Sequence, residues 1–132
     1  MLTKKILVVD NEEYIQEVTK ICLETTTKWE VITASSGNEG IEKAEIEKPD
    51  AILLDVMMPD MDGITTFKHL QENLTTKQIP VILLTAKFQN IDRNNYTYLG
   101  IKATIGKPFS PLTLAQEISQ ILGWGREQYH DS

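Results

Sequence analysis

Apolar residues gather along this chain in short runs with abrupt ends. Lys5 to Asp10 reads KILVVD and Ala51 to Asp55 reads AILLD, each a continuous apolar stretch that stops at one carboxylate. A continuous rather than alternating pattern suits a strand covered on both faces. Trp29 to Ala34 (WEVITA) reads as a further strand, and Ile79 to Thr85 (IPVILLT) as another that ends in a hydroxyl. Lys102 to Gly106 (KATIG) reads as a fifth, followed at once by Lys107-Pro108-Phe109. After Asp55 the chain opens into a loop holding Pro59 and Gly63.

Between these runs the apolar period changes to that of a helix. In Asn11 to Thr26, the residues Tyr14, Ile15, Val18, Ile21 and Cys22 recur at three- and four-residue spacing. Glu12 and Glu13 fall in the expected first turn, where the macrodipole favours negative charge. Ser36-Gly37-Asn38-Glu39 has the form of a capping box. The helix behind it carries Ile41 and Ala44 inward and stops near Glu47, before Lys48-Pro49-Asp50. A third helix runs from about Gly63 to Asn73, with Ile64, Phe67 and Leu70 on one face. The polar stretch Ala86 to Gly100 predicts a short helix near Ile91 to Leu99. Ser110-Pro111 is an N-cap followed by proline at the first helical position. Leu114, Ala115, Ile118, Ile121 and Leu122 then give the last helix its apolar face, and Gly123 ends it.

Five strands alternating with five helices predict an α/β fold with a parallel sheet and helices on both faces. In such a sheet Asp10, Asp55, Thr85 and Lys107 all lie at strand C-termini and share one edge. In open α/β sheets ligands bind at that edge.

Composition narrows the picture. The 132 residues suit one domain, expected over residues 4–123 with a short exposed tail, 124–132, that carries Trp124 and Tyr129 and is no output domain. The net charge of -6 argues against a nucleic-acid or anionic-membrane surface. Cys22 is the sole cysteine, so no intrachain disulfide exists and a cytoplasmic location is expected. No apolar run approaches the roughly 18 residues that span a bilayer.

Asp10, Asp55, Glu12 and a loop carbonyl offer oxygen ligands only, which suits Mg²⁺. With no cysteine or histidine among them, zinc is disfavoured. A lysine and a threonine nearby are what phosphoryl transfer needs: Lys107 neutralises charge on the transferring oxygens and the Thr85 hydroxyl donates a hydrogen bond. A carboxylate can itself be the nucleophile, and Asp55 is the candidate because its loop can add the Met57 carbonyl as a ligand. Each residue also has a plainer reading. Asp10 or Asn11 can cap the first helix, Thr85 can be an ordinary strand residue, and Lys107 a solvated loop lysine. His69 and His130 read as surface residues and Cys22 as core.

Four segments, ILVVDNE (Ile6 to Glu12), LLDVMMPDMDG (Leu53 to Gly63), LLTAK (Leu83 to Lys87) and GKPF (Gly106 to Phe109), carry a resemblance. The chain resembles a response-regulator receiver domain of two-component signalling, of the stand-alone, chemotaxis-regulator-like kind. The likeness covers about Lys4 to Leu122. It implies a flavodoxin-like sheet of order 2-1-3-4-5. It further implies that Asp55 accepts a phosphoryl group from a sensor histidine kinase or a histidine phosphotransfer protein, and that phosphorylation switches binding to a downstream protein. Asp10, Asp55 and the Met57 carbonyl would help hold Mg²⁺, Lys107 would pair with the phosphoryl group, and Thr85 would move to bond it. Such a protein is no enzyme beyond its own phosphorylation and dephosphorylation, and its partners include neither nucleic acid nor membrane. Side chains at Met57 and Lys87 would tune dephosphorylation, and the Lys107-Pro108 peptide would be cis.

Two positions depart from the family's pattern. Where two adjacent acids usually follow the first strand, the second is Asn11, which implies a weaker ligand, direct or through water, with Glu12 as partial compensation. Three residues before Lys107, where Tyr or Phe is common, stands Thr104, so no aromatic rotation can act there. These departures leave a pseudo-receiver, a binding module with little phosphorylation, as the alternative. An aspartyl phosphohydrolase commonly has a second acid two residues after its nucleophile, and here that residue is Met57. A flavodoxin-like electron carrier lacks support because no Gly/Ser/Thr-rich phosphate loop follows the first strand.

Overall fold

The computed structural model describes residues 3–86, 100–107, 109–110 and 112–125. Its elements in chain order are β1 (Lys5–Val9), α1 (Glu13–Thr26), β2 (Glu30–Ala34), α2 (Gly37–Glu47), β3 (Ala51–Asp55), α3 (Gly63–Glu72), β4 (Val81–Ala86), β5 (Ala103–Lys107) and α4 (Leu114–Leu122). The strands form one parallel sheet in the order β2-β1-β3-β4-β5, as expected. The helix expected near Ile91 to Leu99, Lys87, the residues Pro108 and Pro111, and the tail from residue 126, with Tyr129 and His130, lie outside the described residues.

The continuous apolar runs are explained by the two faces of the sheet. Successive strand side chains point to opposite faces. Ile6, Val8, Ala51, Leu53, Ile82, Leu84 and Ile105 therefore enter one core, closed by Leu23, Leu114 and Ile118 from α1 and α4. Leu7, Val9, Ile52, Leu54, Val81 and Leu83 enter the other, closed by Ala44, Phe67 and Leu70 from α2 and α3. Each fully buried side chain of this size contributes about 1.5–3 kcal/mol. The apolar strands thus hold the sheet rigid while their ends carry the polar residues.

Several boundaries shift for local reasons. Helix α1 begins at Glu13 rather than Asn11, with Glu12 at its N-cap position making no side-chain cap bond. Neither acid-site neighbour caps in the expected way. The Asp10 Oδ1 accepts the Glu12 N–H at 2.9 Å, and this turn keeps residues 10–12 out of the helix. The buried face of α1 is also rotated. Tyr14 and Ile21 are exposed, whereas Gln16, Thr19 and Leu23 are buried. Gln16 goes inward because its amide finds partners there, the Asp10 carbonyl and the Ser35 hydroxyl. Strand β4 starts at Val81, after Pro80, which has no N–H to give the ladder.

At the second helix Ser36 Oγ accepts the Glu39 N–H as expected, but the Glu39 carboxylate reaches back to the Ser35 N–H. Lys48 ends α2 in the left-handed conformation, φ 47°. Regular α4 begins at Leu114, later than Ser110-Pro111 implied, and its N-cap position is Thr113. A turn does start at Ser110, whose carbonyl accepts from the Thr113 and Leu114 N–H groups. Gly123, at φ 72°, closes α4.

Trp124 is not an exposed tail residue. Its ring packs edge-on against the buried Trp29, with centroids 5.0 Å apart, and the Lys4 ammonium lies 5.2 Å from it. It extends the core over α1 and α4. Trp124→Ala is expected to lower stability by about 1–3 kcal/mol through lost area and ring contact. Urea denaturation measures this, and an unchanged midpoint would mean the ring is not part of the core.

Candidate functional site

Chain order reverses between β1 and β3, so the connections after these neighbouring strands leave in opposite directions and open a crevice at the carboxyl edge. Asp10 follows β1 and Asp55 ends β3, one on each side of that crevice. Both are buried, Asp10 completely and Asp55 with 5% of its surface exposed.

Lys107 reaches both. It is the last residue of β5, and its side chain runs back over the end of the sheet. Its Nζ lies 2.7 Å from Asp10 Oδ2 and 3.3 Å from Asp55 Oδ1. Lys107 is therefore no solvated loop lysine. Main-chain donors add to this: the Glu12 N–H on Asp10 Oδ1, and the Met57 N–H at 3.3 Å on the same Asp55 Oδ1 that faces Lys107. Thr85, also buried, is the next-to-last residue of β4, which runs on to Ala86 rather than ending at the hydroxyl, and it lies one residue beyond the register partner of Asp55. Among the described residues its hydroxyl makes no hydrogen bond to Asp10, Asp55 or Lys107. Asn11 and Glu12 are exposed and line a cleft with Met57, Met58, Pro59 and Asp62. Thr104 is half-buried within β5. His69 is exposed on α3, and Cys22 is half-buried on α1, where burial raises its thiol above the ordinary value.

Charge is not balanced in this cluster. Burial raises the Asp55 carboxyl above its ordinary range, and the Asp10 charge raises it further. Lys107 and the Met57 N–H pull it down without prevailing. For Lys107 the order is reversed: burial disfavours its ammonium, but Asp10 and Asp55 together hold it above its ordinary value. Two carboxylates thus share one ammonium, and the site can favour additional positive charge. Among the described residues no three His, Cys, Asp or Glu side chains are placed to hold a metal. The available donors are two carboxylates, the Asn11 amide and main-chain carbonyls. That set fits an oxygen-seeking ion such as Mg²⁺, which retains several waters.

Two residues that sequence reading did not single out for this role position the acids. Gln16 Nε2 donates to the Asp10 carbonyl at 2.6 Å, fixing the start of the β1–α1 turn. Gly63 presses on the backbone that carries Asp55: a Cβ there would lie 2.6 Å from the Asp55 carbonyl oxygen and 2.8 Å from Val56 Cα. Its N–H also donates to the Val56 carbonyl at 2.8 Å, closing the loop. Asp62 caps α3 by accepting the Thr65 N–H at 2.7 Å. The Asp62 cap was readable as an acid directly before a helix start; the Gln16 contact had no sequence signal.

A doubly wound α/β domain with a buried Asp–Lys–Asp cluster at its switch crevice is the class defined by this fold and site. The response regulator receiver domain matches residues 6–119, and the chain belongs to that family. It is 43% identical over 121 residues to the alkaline phosphatase synthesis transcriptional regulatory protein PhoP of Bacillus subtilis, covering 92% of this chain and 49% of that protein. The chain spans about half the length of the curated relatives it matches. Among solved structures, chemotaxis protein CheY4 of Vibrio cholerae superimposes with a TM-score of 0.83 at 28% identity, covering 91% of this chain and 99% of that one. The receiver domain of sensor histidine kinase PA1611 from Pseudomonas aeruginosa gives 0.80 at 26% identity, covering 92% and 99%, and was solved with magnesium in its active-site cleft.

Two outcomes are expected. A carboxyl raised on folding loses stabilisation as pH climbs from the ordinary aspartate value near 3.8 through its raised value. Asp55→Asn should therefore be more stable than wild type at neutral pH without divalent cations, and the gap should close as pH falls through that window. Lys107 adds its stabilisation fully below its ordinary value of 10.5, so it contributes evenly across the window. Urea denaturation across pH in chelator tests this, and a variant less stable at neutral pH would contradict it. Gly63→Ala should cost about 1–3 kcal/mol, because the new methyl meets backbone that cannot rotate away. The same denaturation assay scores it, and an unchanged midpoint would contradict the tight contact.

Proposed function

We propose that residues 4–123 accept a phosphoryl group on Asp55. The observation that carries this reading is the Lys107 ammonium set between Asp10 and Asp55, on residues from three different strand ends. In the reaction, an Asp55 carboxylate oxygen attacks the phosphorus of a phosphohistidine. A P–O bond forms, the P–N bond breaks, and its electron pair returns to the imidazole nitrogen of the donor. Charge spreads over the transferring oxygens, and Lys107 is already beside the attacking carboxylate to neutralise it. The Thr85 hydroxyl supplies a hydrogen bond to the phosphoryl group after a rearrangement, since it makes no bond to Asp55 beforehand.

Asp10, Asp55 and the Met57 carbonyl would hold Mg²⁺, with Asn11 a weaker ligand, direct or through water. When bound, the ion adds positive charge against the transferring oxygens. The magnesium in the PA1611 receiver supports this assignment. The two carboxylates facing a single ammonium support it as well, since one Lys107 charge is shared between Asp10 and Asp55.

The donor is a sensor histidine kinase or a histidine phosphotransfer protein, and phosphorylation switches binding to a further protein. The protein's only chemistry is on its own phosphoryl group, and its place is the cytoplasm. Among the described residues, no helix is long and apolar enough to cross a membrane. The assembled cluster favours this reading over a pseudo-receiver; Asn11 lowers cation affinity without removing the nucleophile.

Incubation with acetyl phosphate and Mg²⁺, read by intact mass, tests the proposal. Wild type should gain one phosphoryl group as acetate leaves, and Asp55→Asn should gain none. Lys107→Ala should label at a rate lower by roughly 10²–10³, the usual effect of losing one charge-stabilising donor. A folded wild type that never labels across a wide Mg²⁺ range would overturn the assignment.

A further inference from the structure

The loop between Asp55 and α3 is tied to a part of the molecule that no step above uses. The Asp60 carboxylate, in the middle of that loop, sits on the first turn of α2. Its Oδ1 accepts the Gly37 N–H at 3.2 Å, and its Oδ2 accepts the Asn38 N–H and the Asn38 Nδ2, each at 3.2 Å. These two amides are orphan donors at a helix start, and the macrodipole favours an anion there. Ser36 takes the next one, Glu39 N–H, so Asp60 and Ser36 divide the first turn between them.

A second contact presses the same two segments together. A Cβ on Gly37 would lie 2.5 Å from Thr66 Oγ1 and 3.1 Å from Met61 Cβ. The first residue of α2 therefore rests directly on the loop and on α3. At its other end the loop is closed by the Gly63 N–H on the Val56 carbonyl. Met57, whose N–H bonds Asp55 Oδ1, lies on the span between these anchors.

We propose that Asp60 is a positioning residue: by seating on the α2 N-terminus it holds the Met57 backbone against Asp55, and so sets the cation affinity of the site. The inference rests on the phospho-acceptor reading for its consequence, but its structural part stands apart from it. An Asp60 that only stabilises α2 would change folding and leave the site unaltered.

The test uses the full 132-residue chain and compares Asp60→Ala, Asp60→Asn and Ser36→Ala. Ser36→Ala removes the helix's own cap and leaves the loop tether, so it controls for loss of α2 stability. Mg²⁺ affinity is read by calorimetry and by the Mg²⁺ dependence of acetyl-phosphate labelling, and Met57 amide protection by hydrogen exchange. Asp60→Ala should weaken Mg²⁺ roughly tenfold, the usual effect of losing a residue that orients a metal ligand. The Met57 amide should lose protection in the same variant. Asp60→Asn, which keeps one acceptor oxygen, should fall between it and wild type, and Ser36→Ala should match wild type in both readouts. Wild-type affinity in Asp60→Ala, or an equal loss in Ser36→Ala, overturns the proposal. Wild type that binds Mg²⁺ without labelling would refute the phospho-acceptor reading, while calorimetry and exchange still score Asp60. Wild type that does neither would refute both.

Discussion

Two buried carboxylates and one ammonium set the terms for the rest of this structure. Placing Asp55 beside the buried Asp10 away from water is unfavourable, because desolvation and then the Asp10 charge act against the charged form of Asp55. Lys107 offsets part of that cost by contacting both at once. The arrangement requires three residues far apart in sequence to meet within hydrogen-bond range. The parallel sheet provides it, with β1 beside β3 and the long Lys107 side chain reaching past β4 from β5. The apolar strands behind the site therefore serve the chemistry as scaffold, since a shift in strand register would separate the charges.

The incomplete compensation bears on the proposed phosphoryl chemistry. Asp55 is held above its ordinary pKa range first by burial and then by the Asp10 charge, and two carboxylates face one ammonium there. Such a site attracts a cation, and a cation beside a carboxylate nucleophile is suited to phosphoryl chemistry. Stability is given up at the same place, as is common where groups are held ready for reaction. Asn11, exposed on the adjoining cleft, places a neutral amide rather than a further negative charge beside this cluster.

The segment from Val56 to Asp62 carries the remaining burden. Its residues are held at three points: Gly63 against the Asp55 backbone, Asp62 on the first turn of α3, and Asp60 on the first turn of α2. Two of these are carboxylates satisfying helix amides, so a loop that would otherwise be mobile gains fixed geometry from helix termini. Acidic residues on this loop thus have different tasks from Asp55 although they lie within a few positions of it.

Much of the site was legible along the chain. Continuous apolar runs ending in Asp10, Asp55 and Thr85, with Lys107 after the last, placed four reactive groups at one sheet edge, because strand period and right-handed crossovers leave few alternatives. What the chain alone could not convey were contacts between segments distant in sequence. The inward face of α1 was misjudged at Tyr14 and Ile21, since Gln16 is drawn inside by the Asp10 carbonyl and the Ser35 hydroxyl, partners that no hydrophobic count registers. Trp124 looked like an exposed tail residue until Trp29 was found beneath it. The division of labour between Asp60 and Asp62, and the sharing of one lysine by two acids, were likewise decided by packing. Local pattern determines which element a residue belongs to; a side chain's charge state and partners depend on what the folded chain brings to within a few ångströms of it.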